Sequence, residues 1–351
     1  MSRLDQEPEV GALAAELGLS GCGSHVDAIV GHCLLRVGRW VQEDGPVASI
    51  DHLEAVVASR LRMVFEDVWS DEDLDALIEK YVKLGEGVFR FLKHDLDGST
   101  FGATYRRSKA ATDAPDRLVA IIDCRGEKGA RRFFTRWHEV AHFLVGNGEV
   151  KTPVFRASHD PLERLMDEIA ARVGFYEPIL GPAFDSEMSG RSRLHFEVVE
   201  SVRRRHFPDA SFQSTLFACH RRTATAVVYL EASLGHKAED HREISQGSQW
   251  LFEDARPEAR LRAVQVVPNA AARAANLTIV TNMRIPESSV IHRLHRDEDA
   301  LEASGREDLG SWEHSGGKRL GRREVWIDAR KVKGRIMALL QPENRIASTS
   351  P

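Results

Sequence analysis

A chain of 351 residues, 42% hydrophobic and 29% charged, carries enough apolar material for two or three modest cores and is expected to fold on its own. Its formal net charge of -5 excludes a surface built throughout for phosphate contacts, while leaving room for a local basic patch. Four cysteines, Cys22, Cys33, Cys124 and Cys219, form no C-x-x-C pair, which excludes a zinc ribbon and a disulfide framework and reads as reduced thiols.

The opening MSRLDQEPEVG has no basic segment leading into an apolar run. Nowhere do about 18 uncharged apolar residues follow one another, so a cytoplasmic protein without membrane contact is expected. Helical apolar spacing runs through 25–41 and 50–60. Short strands are predicted at Leu61–Phe65, Phe101–Tyr105 and Leu118–Cys124, with a charged, helix-like insertion at Asp71–Leu84. A nearly all-apolar helix follows at about 132–145, ended by Gly146-Asn147-Gly148, and a second opens at Asp160-Pro161. Beyond 185, helices near 192–206 and 212–223 precede β-rich runs at 225–231, 261–267, 323–329 and 335–340. The stretch 303–322 reads as loop, and it and the polar tail from 342 are expected to be mobile.

The helix at 132–145 contains H-E-x-x-H as His138-Glu139-Val140-Ala141-His142, a metalloprotease signature. Four residues advance a helix by about 400°, so both imidazoles fall on one face, as two ligands of one tetrahedral zinc require. Glu139 points elsewhere, where it can act on a water molecule beside the metal. A third ligand is sought on the next helix, DPLERLMDEIAARV. Its apolar stripe of Leu162, Leu165, Met166, Ile169 and Val173 puts Glu163 and Asp167 together on the border and Glu168 on the opposite, solvent side. Glu163 would complete the metal's protein shell, and Asp167, one turn on, would accept the free N–H of a ligand histidine. Two purely structural readings stay open. The histidines could be polar residues on a core helix, and Glu163 could be the N3 partner of a capping box with Asp160 as N-cap.

Tyr176, His159 and His195 are candidate donors to a transition-state oxyanion, and each also fits a packing or surface role. Arg203-Arg204-Arg205-His206, followed by Pro208 and the helix Phe212–Thr223, has the outline of a helix-turn-helix reader of DNA. A solvated cationic helix end is the simpler reading, so direct nucleic-acid binding is not expected.

Around the histidines the sequence resembles the ImmA/IrrE family of metallo-endopeptidases, in which a strand precedes R-R-F-T-x-A-H-E-x-x-H and then E-x-L-C-D-x-x-A-A. Here Leu118–Asp123 stands for the strand, Arg131–Thr135 leads into the histidines, and ERLMDEIAA from Glu163 to Ala171 matches the second motif. The likeness covers 115–182 and, more loosely, Pro46–Phe65; Ile285–Trp312 and Val325–Pro342 look similar to the carboxy-terminal region of longer members. Trp137, Met166 and Val173–Tyr176 depart from the family pattern without touching a ligand position.

The resemblance implies an α+β protein with a zincin-like metallopeptidase domain at 25–185 after a partly flexible segment at 1–24. A helical, helix-turn-helix-like segment would follow at 186–235, then an α+β, GAF-like sensor or substrate-binding domain at 236–342 and a flexible tail at 343–351. It implies zinc, with manganese as the alternative, on His138, His142 and Glu163, with Glu139 as catalytic base. The implied reaction is hydrolysis of a peptide bond in an intracellular regulatory protein, a helix-turn-helix repressor of stress-response genes. The competing expectation is a non-catalytic stress regulator that binds protein or DNA through its C-terminal half.

Overall fold

The computed structural model describes residues 3–96, 98, 100–107, 118–146, 160–237, 259–314 and 317–343. The chain is mixed α+β and divides into two compact units. The first comprises Met1–Glu187 with Glu200–Ala218, and the second Met188–Val199 with Cys219–Pro351. No helix among the described residues is long and apolar enough to cross a membrane.

The first unit opens with α1 (Pro8–Glu16), α2 (His25–Asp44) and α3 (Ile50–Leu61). Ser24 and Ser49 start α2 and α3 by accepting the Asp27 and His52 amides, each at 3.2 Å, which satisfies donors that a helix start leaves open. Within the segment 1–24, expected to be partly flexible, several side chains are packed. Val10 and Ala14 of α1 are fully buried, and Asp5 accepts from Ser24 Oγ at 2.9 Å and from the Val26 amide at 3.0 Å. Helix α3 runs through Leu61 and stops because Arg62 adopts a left-handed φ of 52°. The strand predicted from Leu61 therefore begins later, as β1 (Met63–Val68).

After β1 come α4 (Asp71–Lys83), α5 (Leu92–Asp95), β2 (Gly102–Arg106) and β3 (Leu118–Asp123). The sheet order is β1-β3-β2, with β1 parallel and β2 antiparallel to the central strand. Every residue of β3 is buried, as an uninterrupted LVAIID run predicts for a strand covered on both faces. On one face Val119, Ile121, Ala103 and Tyr105 share a core with Leu74, Leu77 and Tyr81 of α4 and with Phe89 and Leu92. Since side chains alternate along β2, Gly102 and Thr104 face the other way. There they meet α6 (Arg132–Leu144), against which α7 (Pro161–Val173) packs; α8 (Glu177–Met188) follows.

The division between the units falls within α9 (Phe196–His206) and α10 (Phe212–Arg222). The helical segment read at 186–235 is thus shared between both units, and its last eight residues are β4 (Val228–Gly235). The second unit continues with β5 (Arg260–Pro268), α11 (Ala270–Ala274), α12 (Val290–Arg296), β6 (Glu302–Asp308), β7 (Glu324–Val332) and β8 (Arg335–Pro342). These strands form an antiparallel sheet ordered β5-β4-β8-β7-β6. One face, including Val228, Leu230, Ile327 and Ala338, closes over Ala272, Ile291, Leu294 and Trp312. The loop expected at 303–322 is corrected at its start: Glu302–Asp308 is an edge strand, paired on one side only and alternating exposed with half-buried residues. Such a strand needs little apolar content, which is why EASGRED reads as loop. Glu343, grouped with the tail, is bound by Arg193 at 3.0 Å, and the residues from 344 lie outside those described.

Candidate metal centre

Helix α6 presents its two histidines because the rest of its circumference is buried. Phe133, Trp137, Val140, Ala141 and Leu144 face the interior, with Trp137 only 1% exposed. Room for this indole comes from Gly174, just past α7, where a Cβ would stand 2.6 Å from Trp137 Cδ1. The large residue preceding the first histidine is thus matched by a missing side chain opposite it. At its end α6 is capped by Arg36 of α2, whose Nη1 donates to the carbonyls of Phe143, Leu144 and Gly146 at 3.1, 3.1 and 3.2 Å. Arg136 and Arg132, one turn apart, bind Asp67 of β1 at 2.8 and 2.7 Å, and Arg136 also binds Glu54 of α3.

Helix α7 begins at Asp160, whose carboxylate accepts the Leu162 amide at 2.8 Å. The cap is therefore supplied without Glu163, which does not turn back on its own helix. Its Oε2 lies 3.0 Å from His138 Nε2 and 3.7 Å from His142 Nε2, and the two ring nitrogens are 3.3 Å apart. These three residues are the one group among those described whose donor atoms could hold a metal ion, all within 4.8 Å of one another. Asp167 accepts from His138 Nδ1 at 2.8 Å, which leaves Nε2 as the ring atom aimed at the shared point. Glu168 is exposed on the far side of α7.

The donor set fits zinc. Ligands at about 2.0–2.1 Å in a tetrahedron stand about 3.3–3.4 Å from one another, and the observed separations of 3.0, 3.3 and 3.7 Å bracket that spacing. The carboxylates beside His138 favour its charged form. Burial works against a charged His138, yet the carboxylates of Asp167 and Glu163 outweigh it and raise the imidazole to about 10. Burial likewise pushes Glu163 up, and the two histidines outweigh it and hold the carboxyl down at about 2. The His142 side chain is 38% exposed against 18% for His138 and 17% for Glu163, so the group is reached from the His142 side.

Glu139 stands apart from these three, only 8% exposed, with Oε2 accepting from Thr104 Oγ1 of β2 at 2.6 Å. Reading the sequence missed Thr104 and Gly102. The signal available was a glycine inside the strand FGATY, since a strand glycine often marks a close approach.

Of the three candidate oxyanion donors, two lie among the described residues. Tyr176 is buried, with its hydroxyl beside Gly38 of α2, where burial raises the phenol above its ordinary value. His195 belongs to the second unit, its Nδ1 3.2 Å from Asp328 Oδ2. His159 lies outside the described residues. The arginine run is ion-paired: Arg203 and Arg204 bind Glu200, and Arg205 binds Glu187. Thr215, Leu216, Ala218, Cys219 and His220 of α10 are buried, which leaves that helix little surface for base edges.

No protein-family model matches the chain, and no curated protein matches it.

Proposed function

We propose that this chain is a zinc-dependent endopeptidase of the ImmA/IrrE kind, with a zincin-like first unit and a GAF-like second one. The observation that carries the proposal is the convergence of His138, His142 and Glu163 at separations suited to one tetrahedral ion, with His138 oriented by Asp167. A cluster of two histidines and a carboxylate leaves a fourth position open, the mark of a catalytic rather than a structural zinc site.

Zinc in this site would polarise a scissile carbonyl and acidify the attacking water. The chain's own residues do the rest. His138, His142 and Glu163 would hold the ion, and Asp167, accepting from His138 Nδ1, would leave Nε2 to bind it. Glu139 takes a proton from the water and delivers it to the departing amine. The substrate proposed is an intracellular regulatory protein, a helix-turn-helix repressor, with manganese as the alternative metal. The presence of a carboxylate at 139 favours this reading over a non-catalytic regulator, which has no use for a base.

Elemental analysis tests the proposal on the wild type and two variants. About one zinc per chain is expected, lost with Glu163→Gln and kept with Glu168→Gln. A wild type that neither contains zinc nor takes it up would remove the peptidase reading.

A further inference from the structure

Two residues of β2 shape the surroundings of Glu139, and neither belongs to the metal group. Thr104 and Glu139 are 7% and 8% exposed, and the hydroxyl donates to Oε2 at 2.6 Å across the seam between β2 and α6. A threonine hydroxyl has one hydrogen to give, so this bond fixes which carboxylate oxygen is tethered. The other oxygen, Oε1, accepts no hydrogen bond among the described residues and lies beside Gly102. A Cβ there would stand 2.9 Å from Oε1 and 2.8 Å from Thr135 Cγ2. Glycine is thus the residue that lets the glutamate lie flat against the strand.

We propose that Thr104 is the positioning residue of the base: it anchors Oε2 and leaves Oε1, in the space opened by Gly102, as the atom that accepts the proton. The inference rests on the peptidase reading of His138, His142 and Glu163. In the reaction the water oxygen bonds to the scissile carbon, and one water proton moves to Oε1 and then to the amine nitrogen as the C–N bond breaks. Thr104 keeps its own proton throughout.

The test uses zinc-loaded full-length protein titrated calorimetrically with acetohydroxamate. A hydroxamate chelates zinc through two oxygens and hydrogen-bonds to a neighbouring carboxylate, so its affinity reports where the base stands without any turnover. Thr104→Val, which keeps the shape and removes the hydroxyl, is expected to retain one zinc and to bind acetohydroxamate about tenfold more weakly. Thr104→Ser should restore most of the loss. In a Glu139→Gln background, Thr104→Val should have no further effect, because the coupling runs through that carboxylate. Should Thr104→Val not fold, judged by circular dichroism, Thr104→Ala makes the same comparison. Equal affinity for the wild type and the hydroxyl-less variant, or an equal loss in the Glu139→Gln background, overturns the positioning role and leaves the zinc site standing. A wild type that takes up no zinc overturns both.

Discussion

Asp167 would act on a metal at the proposed site through a hydrogen bond rather than by touching it. Its carboxylate accepts from His138 Nδ1 at 2.8 Å and so selects the tautomer whose Nε2 lone pair faces Glu163 and His142. Asp167→Asn is expected to weaken zinc binding about 10- to 100-fold, measured by competition with a chromogenic chelator, with the fold unchanged. A variant that binds as tightly as the wild type would show that packing alone orients the ring. Gly174 makes a different prediction at the same scale. Its φ of -64° suits any residue, so Gly174→Ala meets no backbone strain, yet the added Cβ would stand 2.6 Å from Trp137 Cδ1 and 2.9 Å from the Ala170 carbonyl oxygen. The variant should lose about 1–3 kcal/mol in urea denaturation, and Trp137→Phe in the same chain should recover part of it.

Elements bring these residues together, and the join between β3 and α6 rests on one carboxylate. Asp123 ends β3 with a side chain 0% exposed, accepting from Arg125 Nε at 2.9 Å and Lys128 Nζ at 2.7 Å. Burial pushes this carboxyl up, but the two cations outweigh it and hold it below the usual aspartate range. At a pH between the depressed native value and the ordinary one, the unfolded chain binds the proton that the native state refuses, so stability rises with pH there. The contribution is complete above about pH 3.9 and disappears as pH falls through the native value. Asp123→Asn leaves the cations around the carboxylate underpaired and should cost about 1–3 kcal/mol at pH 7, and the gap to wild type in urea midpoints should narrow as the pH falls below about 3.9. A gap that stays constant into strong acid would place the effect elsewhere.

Much at this scale is legible in the sequence, because burial leaves a period behind it. The uninterrupted LVAIID run marks a strand covered on both faces. The spacing of 133, 137, 140, 141 and 144 marks the α6 stripe, and that of α7 separates Glu163 and Asp167 from Glu168. Strand β6 leaves no such trace, being an edge with one half-buried face. The bond from Thr104 to Glu139 joins residues 35 apart through the order of the sheet, which no local pattern encodes.

At the scale of the whole molecule, the chain passes from the first unit to the second, back again and out once more. No single cut separates the units. A boundary at 185, the natural one from sequence, removes Phe207, which is fully buried in the first unit with its ring 4.9 Å from Phe175 and 6.4 Å from Phe133 of α6. It also removes Asp209, the partner of Arg132. A fragment of residues 1–185 should melt roughly 10 °C below one of residues 1–218, as loss of a buried aromatic implies, and differential scanning fluorimetry of the two would decide it. Equal melting temperatures would mean that α6 needs no support from Phe207.

This interleaving also sets an order of events on the ribosome. Residues 188–218 take roughly 2–6 seconds to synthesise, and until they emerge α6 has its histidines but lacks the aromatic ring that backs Phe133. The start of α9 waits longer still, because His195 and Phe196 find Asp328 only once β7 has been made. If the proposed site holds zinc, a nascent chain that meets the ion early would bind it with α6 still half supported.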